Sequence, residues 1–161
     1  VSSNDAAGEN TLVQFAQPVD DLDPVVGAIE RAAAESRVGP DVVLYYGATN
    51  EDREDRDILV KTGQGWSQGE LLTYPACAEW WNTLPLPWYW TRSDANVTCD
   101  RQASALVDRA TSGQPGVVIA ASSDPTVPNQ ELIEAGYQRQ YVGIRSYGRT
   151  LSVFVHDRLA D

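Results

Sequence analysis

Apolar positions along this chain follow two rhythms, an alternating or continuous one suited to strands and a spaced one suited to helices. Thr11 to Gln17 (TLVQFAQ) is a short β-rich run closed by Pro18. Asp23-Pro24 reads as a helix N-cap followed by proline at the first helical position. The helix it starts puts Val25, Val26, Ile29 and Ala33 on one face and ends near Gly39-Pro40. Asp41 to Tyr46 (DVVLYY) is continuously apolar after its first residue, as in a strand buried on both faces. Strand, helix and strand in this space make a βαβ unit.

Downstream, Asn96 to Cys99 predicts a strand, and about Arg101 to Ala110 a helix with Ala105, Leu106 and Arg109 at helical spacing. Gly116 to Ala121 (GVVIAA) is a second fully apolar strand. Pro128 to Glu134 is a short helix stopped by Gly136, and Gln138 to Ser146 with Thr150 to His156 form a terminal hairpin turning at Tyr147-Gly148. The expected fold is α/β: a Rossmann-like three-layer sandwich with a mainly parallel sheet and a C-terminal antiparallel hairpin. The expected organisation is a flexible lead-in at 1–10, one domain at 11–158 and a short tail at 159–161. Within it, 48–70 forms an acidic excursion around Asn50 to Asp57 (NEDREDRD) with a short strand candidate at Ile58 to Val60. Those acids do not follow the spacing of a calcium loop.

Composition changes the picture at the surface. Twenty-three acidic residues against twelve basic ones give a net charge of −11, and Lys61 is the only lysine. Carboxylates hold water and hydrated cations where lysine would add a long apolar stem. In molar salt the Debye length is about 3 Å, so the repulsion among those acids is screened. The surface is therefore expected to suit concentrated salt. No basic stripe is available to neutralise phosphates, which excludes nucleic acid as a partner. No apolar run approaches the ~18 residues of a membrane span, so the chain reads as a soluble domain. Its small, polar start lacks a signal-peptide pattern and reads as a lead-in or a cut point within a longer protein.

Catalytic chemistry finds little footing. There is no G-x-G-x-x-G or Walker sequence, so no nucleotide cofactor is expected. The only histidine is His156, and neither a metal cluster nor a G-x-S-x-G elbow is present. Ser122, Ser123 and Asp124 fall at the C-terminal end of a predicted strand, where α/β sheets place ligands. Cys77 and Cys99 can form one bridge or stay as two buried thiols. Asn96-Val97-Thr98 matches the N-glycosylation acceptor pattern, conditional on an extracellular location.

One block stands apart. Between Tyr74 and Trp90 lie Trp80, Trp81, Trp88 and Trp90, with Tyr89, Pro75, Pro85 and Pro87. It can serve core packing, or form a platform for sugar stacking or for a membrane interface. The stretch Leu84-Pro85-Leu86-Pro87-Trp88-Tyr89-Trp90-Thr91-Arg92, followed by Asn96-Val97-Thr98, resembles the soluble C-terminal domain of archaeal, halophilic membrane glycosyltransferases. These are related to dolichyl-phosphate-mannose-protein mannosyltransferases and aminoarabinose transferases. Phe15, Ile29 to Ala33 (IERAA), Asp41 to Gly47, Val117 to Ala120 and Leu151 to His156 fall where that pattern has its other elements. The likeness runs from Leu12 to Arg158 and departs at Trp90-Thr91, where the pattern has Leu-Arg.

The resemblance implies a polytopic parent enzyme that moves a sugar from a polyprenyl (dolichyl-type) phosphate. Its catalytic acids would lie in the membrane portion of the same polypeptide, leaving this domain non-catalytic at the extracellular face of the cell membrane. Trp88, Tyr89 and Arg92 are then the candidates for contact with an acceptor glycan, a lipid-linked sugar or the membrane. The setting would permit both a Cys77–Cys99 bridge and a glycan on Asn96. The rival expectation is a free-standing secreted module of a halophile that binds a small polar ligand through Ser122, Ser123 and Asp124.

Overall fold

A computed structural model of the chain describes residues 22–35, 37–47, 86–144 and 149–160. The strand expected at Thr11–Gln17, the acidic excursion at 48–70, Trp80, Trp81 and Cys77 all lie outside these residues. Helix α1 spans Asp23–Ala34 and strand β1 Val42–Tyr45; α2 is Leu86–Arg92 and β2 Val97–Asp100. Helix α3 covers Ala103–Ser112, β3 Val117–Ala121, α4 Asn129–Glu134, β4 Tyr137–Ile144 and β5 Arg149–His156. A single 3₁₀ turn, Asp157–Leu159, follows.

The five strands form one sheet in the order β2-β1-β3-β5-β4. Strand β1 pairs in parallel with β2 and β3, while β5 runs antiparallel to both β3 and β4. This corrects the expected Rossmann-like, mainly parallel sandwich: the sheet is mixed. The two antiparallel strands are the long ones, eight residues each, against four or five in the parallel ones. Strand β5 docks along the whole of β3, so the hairpin makes up the C-terminal half of the sheet rather than an edge to it. A continuous apolar run identifies a strand covered on both faces, but it does not specify the direction of the neighbour.

Alternation along the strands divides the core in two. Val42, Leu44, Val117, Ile119 and Val153 face α1 and α2, where Leu22, Val25, Ile29, Leu86 and Trp90 cover them. Val43, Tyr45, Val118, Ala120 and Phe154 face α3 and α4, under Leu106, Ala110 and Leu132. Helix α1 begins at Asp23, the residue expected to cap it: Leu22 holds the N-cap position and makes no side-chain cap bond. Its buried stripe is Val25, Ala28, Ile29 and Ala32. Small residues let the layers approach closely at Gly116, where a Cβ would run into Ala32 and Leu159.

Candidate functional site

Among the described residues three places could carry function, and the first is α2. Pro87 is tolerated because it falls in the first turn, where an amide hydrogen has no helical acceptor. The helix stops after two turns as Asp94 takes a left-handed φ of 56° and Ser93 Oγ donates to the Tyr89 carbonyl at 2.9 Å. Residues two apart on a helix point to nearly opposite sides. Trp90 is accordingly fully buried, at 0%, whereas Trp88 is 71% exposed. Leu86 joins Trp90 inside, and Arg92 joins Trp88 outside, one turn on. The expected binding platform is thus split: Trp90 packs the core, and Trp88 with Arg92 faces solvent.

Arg92 is partly committed elsewhere. Its Nη2 donates to Glu30 Oε1 of α1 at 3.3 Å, and its guanidinium lies 5.7 Å from the centre of the Tyr89 ring. Both partners of the ion pair are about half exposed, so the pair is worth under about 1 kcal/mol and salt weakens it further. Tyr89 is half-buried against the core beside α1.

The second place is the C-terminal edge of the parallel strands. Here Asp124 is buried, and its Oδ1 accepts from Thr126 N at 2.8 Å and Thr126 Oγ1 at 2.6 Å. The Thr126 hydroxyl also bonds Tyr45 Oη at 2.9 Å, and burial pushes the Tyr45 phenol above its ordinary pKa. Asp124 is therefore the cap of its own turn. Ser122 and Ser123 are exposed beside it, and the Ser122 amide donates to the Thr150 carbonyl at 3.0 Å. Nearby, a bidentate pair escaped the sequence reading: Arg109 Nε and Nη2 donate to Asp100 Oδ2 and Oδ1 at 2.8 and 3.0 Å. Asp100 is buried, and this bond to it raises the Arg109 pKa above the usual value. An acid at the last position of β2 and a base one turn before the end of the next helix were the only signal.

The histidine lies elsewhere. The His156 amide donates to the Gly116 carbonyl at the start of β3, whereas Ser122 follows the end of that strand. Five strand residues separate the two ends, roughly 17–20 Å of chain. No serine–histidine couple can form there. His156 Nδ1 instead accepts from the Arg158 amide at 3.2 Å, capping the 3₁₀ turn, and its ring meets Tyr137 edge-on at 4.9 Å. Burial first, then the charge of Arg158, holds the imidazole below its ordinary pKa.

The third place is a cavity of about 340 Å³ between α1, β4 and the 3₁₀ turn, walled by Pro24, Arg31, Gln138, Gln140, His156 and Leu159. Arg31 Nε there donates to the Leu159 carbonyl at 2.9 Å. Among the described residues no group of three or more His, Cys, Asp or Glu could hold a metal. Cys99, half-buried on β2, is disulfide-bonded; Cys77, the only other cysteine in the chain, lies outside the described residues. Asn96 is exposed just before β2, and its Nδ2 donates to the Gly39 carbonyl at 3.2 Å.

Among the described residues the geometry brings together no catalytic set, and comparison with known proteins gives the frame for it. The model of the Agl23 flippase-associated protein C-terminal domain matches residues 22–157. The chain belongs to this family. It is thus a domain of a glycosylation-related membrane protein, which is the coarser part of what the Pro-Trp-Tyr segment suggested. No curated protein and no solved structure matches the chain. Among the described residues, no helix of this Agl23-type domain is long and apolar enough to cross a membrane.

Proposed function

We propose that this Agl23-type domain is the extracytoplasmic, non-catalytic part of a membrane protein acting on sugars carried by polyprenyl phosphates. Its task would be to hold an acceptor, or the membrane portion of its own polypeptide, against the exposed face of α2. The observation that carries this reading is Trp88. A large aromatic 71% exposed, on a short helix anchored from behind by Leu86 and Trp90, is a rigid apolar surface one turn from a cation. Sugar faces, lipid headgroup regions and protein partners all use such a pair. The non-catalytic role is supported by how the polar groups are used. Asp124 caps its turn, Asp100 is held by Arg109, and His156 caps the 3₁₀ turn. The rival ligand site at Ser122–Asp124 gains nothing from a carboxylate already satisfied within its own turn.

The test is Trp88→Ala in the full-length protein in its native host, with glycan on the host's glycoproteins measured against protein level. The expected result is a fall in glycan, with the variant as abundant as wild type. Unchanged glycan would overturn the contact role. A surface poor in lysine and rich in acids further fits work in concentrated salt. Raising KCl from 0.1 M to 2 M should raise the melting temperature, and a flat or falling profile would remove that part of the reading.

A further inference from the structure

We propose that Asn96 is an N-glycosylation site, taking an oligosaccharide from a lipid-phosphate-linked donor. The sequence supplies Asn96-Val97-Thr98, an asparagine followed two residues later by threonine with no proline between. The fold presents it well. Asn96 is exposed and immediately precedes β2, which is the outermost strand on its side of the sheet among the described residues. Strand alternation sets Asn96 and Thr98 on the same face. The backbone there is fixed: the Asn96 carbonyl accepts from the amides of Asp41 and Val42 at 2.8 and 3.1 Å, and its own amide donates to Asp41 Oδ2 at 2.8 Å.

The side-chain amide has two hydrogens, and the described contacts use one, in the 3.2 Å bond to the Gly39 carbonyl. In the transfer, Nδ2 attacks C1 of the donor's first sugar. The C1–O bond to the lipid phosphate breaks as the C1–N bond forms; the amide gives up one proton, and the lipid phosphate departs with the bonding pair. The product is a secondary amide that keeps one N–H. That hydrogen can go on bonding Gly39, so the folded backbone need not change to carry the glycan. No described apolar residue of the core is disturbed by a chain leaving Asn96 toward solvent.

This inference rests on the extracytoplasmic placement proposed above, and the experiment separates the two. The full-length protein is purified from membranes of its native host, reduced, alkylated and digested with trypsin. Arg92 and Arg101 bound the peptide Ser93–Arg101 that contains the site. Mass spectrometry should find this peptide carrying sugar, with Asn96→Gln and Thr98→Ala each abolishing the addition and Thr98→Ser retaining it. In parallel, intact cells are treated with an external protease and the domain is followed by immunoblot. A domain cut from outside whose peptide is bare overturns the glycosylation and leaves the placement standing. A domain cut only after lysis overturns both.

Discussion

Strands β1 and β3 are buried along nearly their whole length under helices on both faces, whereas β4 leaves Gln138, Arg139 and Tyr141 exposed at the far edge. The first half is held by apolar side chains meeting across layers: Leu44 and Ile119 under Ile29 and Trp90, Val43 and Val118 under Leu106 and Leu132. In the second, β5 shares the same core through Leu151, Val153 and Phe154, and β4 is held to it by an eight-residue ladder and by polar details near its start, such as the 2.6 Å bond from Tyr137 Oη to the Pro115 carbonyl. Arg139 adds a bond to Asn129 and lies 4.9 Å from the Tyr141 ring centre. The parallel half is buried throughout and should fail as a unit together with β5; the edge strand β4 keeps one face in solvent and should open first.

The strongest test of that contrast is Trp90→Ala. Emptying a fully buried indole site should cost about 3–5 kcal/mol, seen as a large drop in the denaturation midpoint. Trp88→Ala, two residues away, should stay within about 0.5 kcal/mol. Similar losses at both would mean that α2 is not anchored through Trp90. Next is Arg109→Ala, which strands the buried Asp100 carboxylate in the parallel half. A loss of about 2–3 kcal/mol is expected, and adding Asp100→Asn to make the double variant should recover part of it. No recovery would show that Arg109 contributes packing alone.

The same contrast shows why some of the fold was legible beforehand and some was not. The runs Val42–Tyr45 and Val117–Ala121 announced strands covered on both faces, because nothing polar interrupts them. The order and direction of strands were not legible, since periodicity gives a strand's faces and not its neighbours. Whether the hairpin joins through β5 or through β4 decides between a parallel and an antiparallel contact with β3, and that is settled by packing far apart in sequence. In the aromatic block, the prolines hid a helix whose first turn tolerates Pro87. Without that helix, Trp88 and Trp90 could not be assigned to opposite sides. Asp100 and Arg109 sit nine residues apart on a strand and a helix, a separation that no local pattern encodes.

Tyr137→Phe probes the antiparallel half with a smaller expected effect. It removes one buried bond, worth about 1 kcal/mol, and also changes the alkaline limb. Burial raises the Tyr137 pKa well above its ordinary 10, so above pH 10 the unfolded chain releases a proton that the folded one keeps. The stability this phenol supplies is complete below pH 10 and declines as pH rises beyond it. Chemical denaturation at pH 8 and pH 11 should show a smaller decline in the variant. An identical decline would place the alkaline sensitivity elsewhere, with Tyr45 the next candidate because its pKa is also raised by burial.

The smallest expected effect is at His156, where the hairpin half ends. Its pKa is lowered from 6.5 by burial, with Arg158 adding to the shift. As pH falls below 6.5 the unfolded chain takes up a proton sooner than the folded one, so stability is present above 6.5 and is lost through that window. Asp41 acts in the opposite direction: burial raises its pKa from 3.8, so as pH falls toward 3.8 the folded form takes up its proton first and gains stability. The difference between wild type and His156→Asn isolates the histidine, because asparagine can still offer an oxygen to the Arg158 amide that His156 Nδ1 now caps. Melting followed from pH 7.5 to pH 5 should slope downward in wild type and less so in the variant. Amide exchange should register the change first in the hairpin near Tyr137 and His156, leaving β1 and β3 at their neutral protection. Equal acceleration in both halves would mean that the sheet opens as one unit and that the division between them has no energetic content.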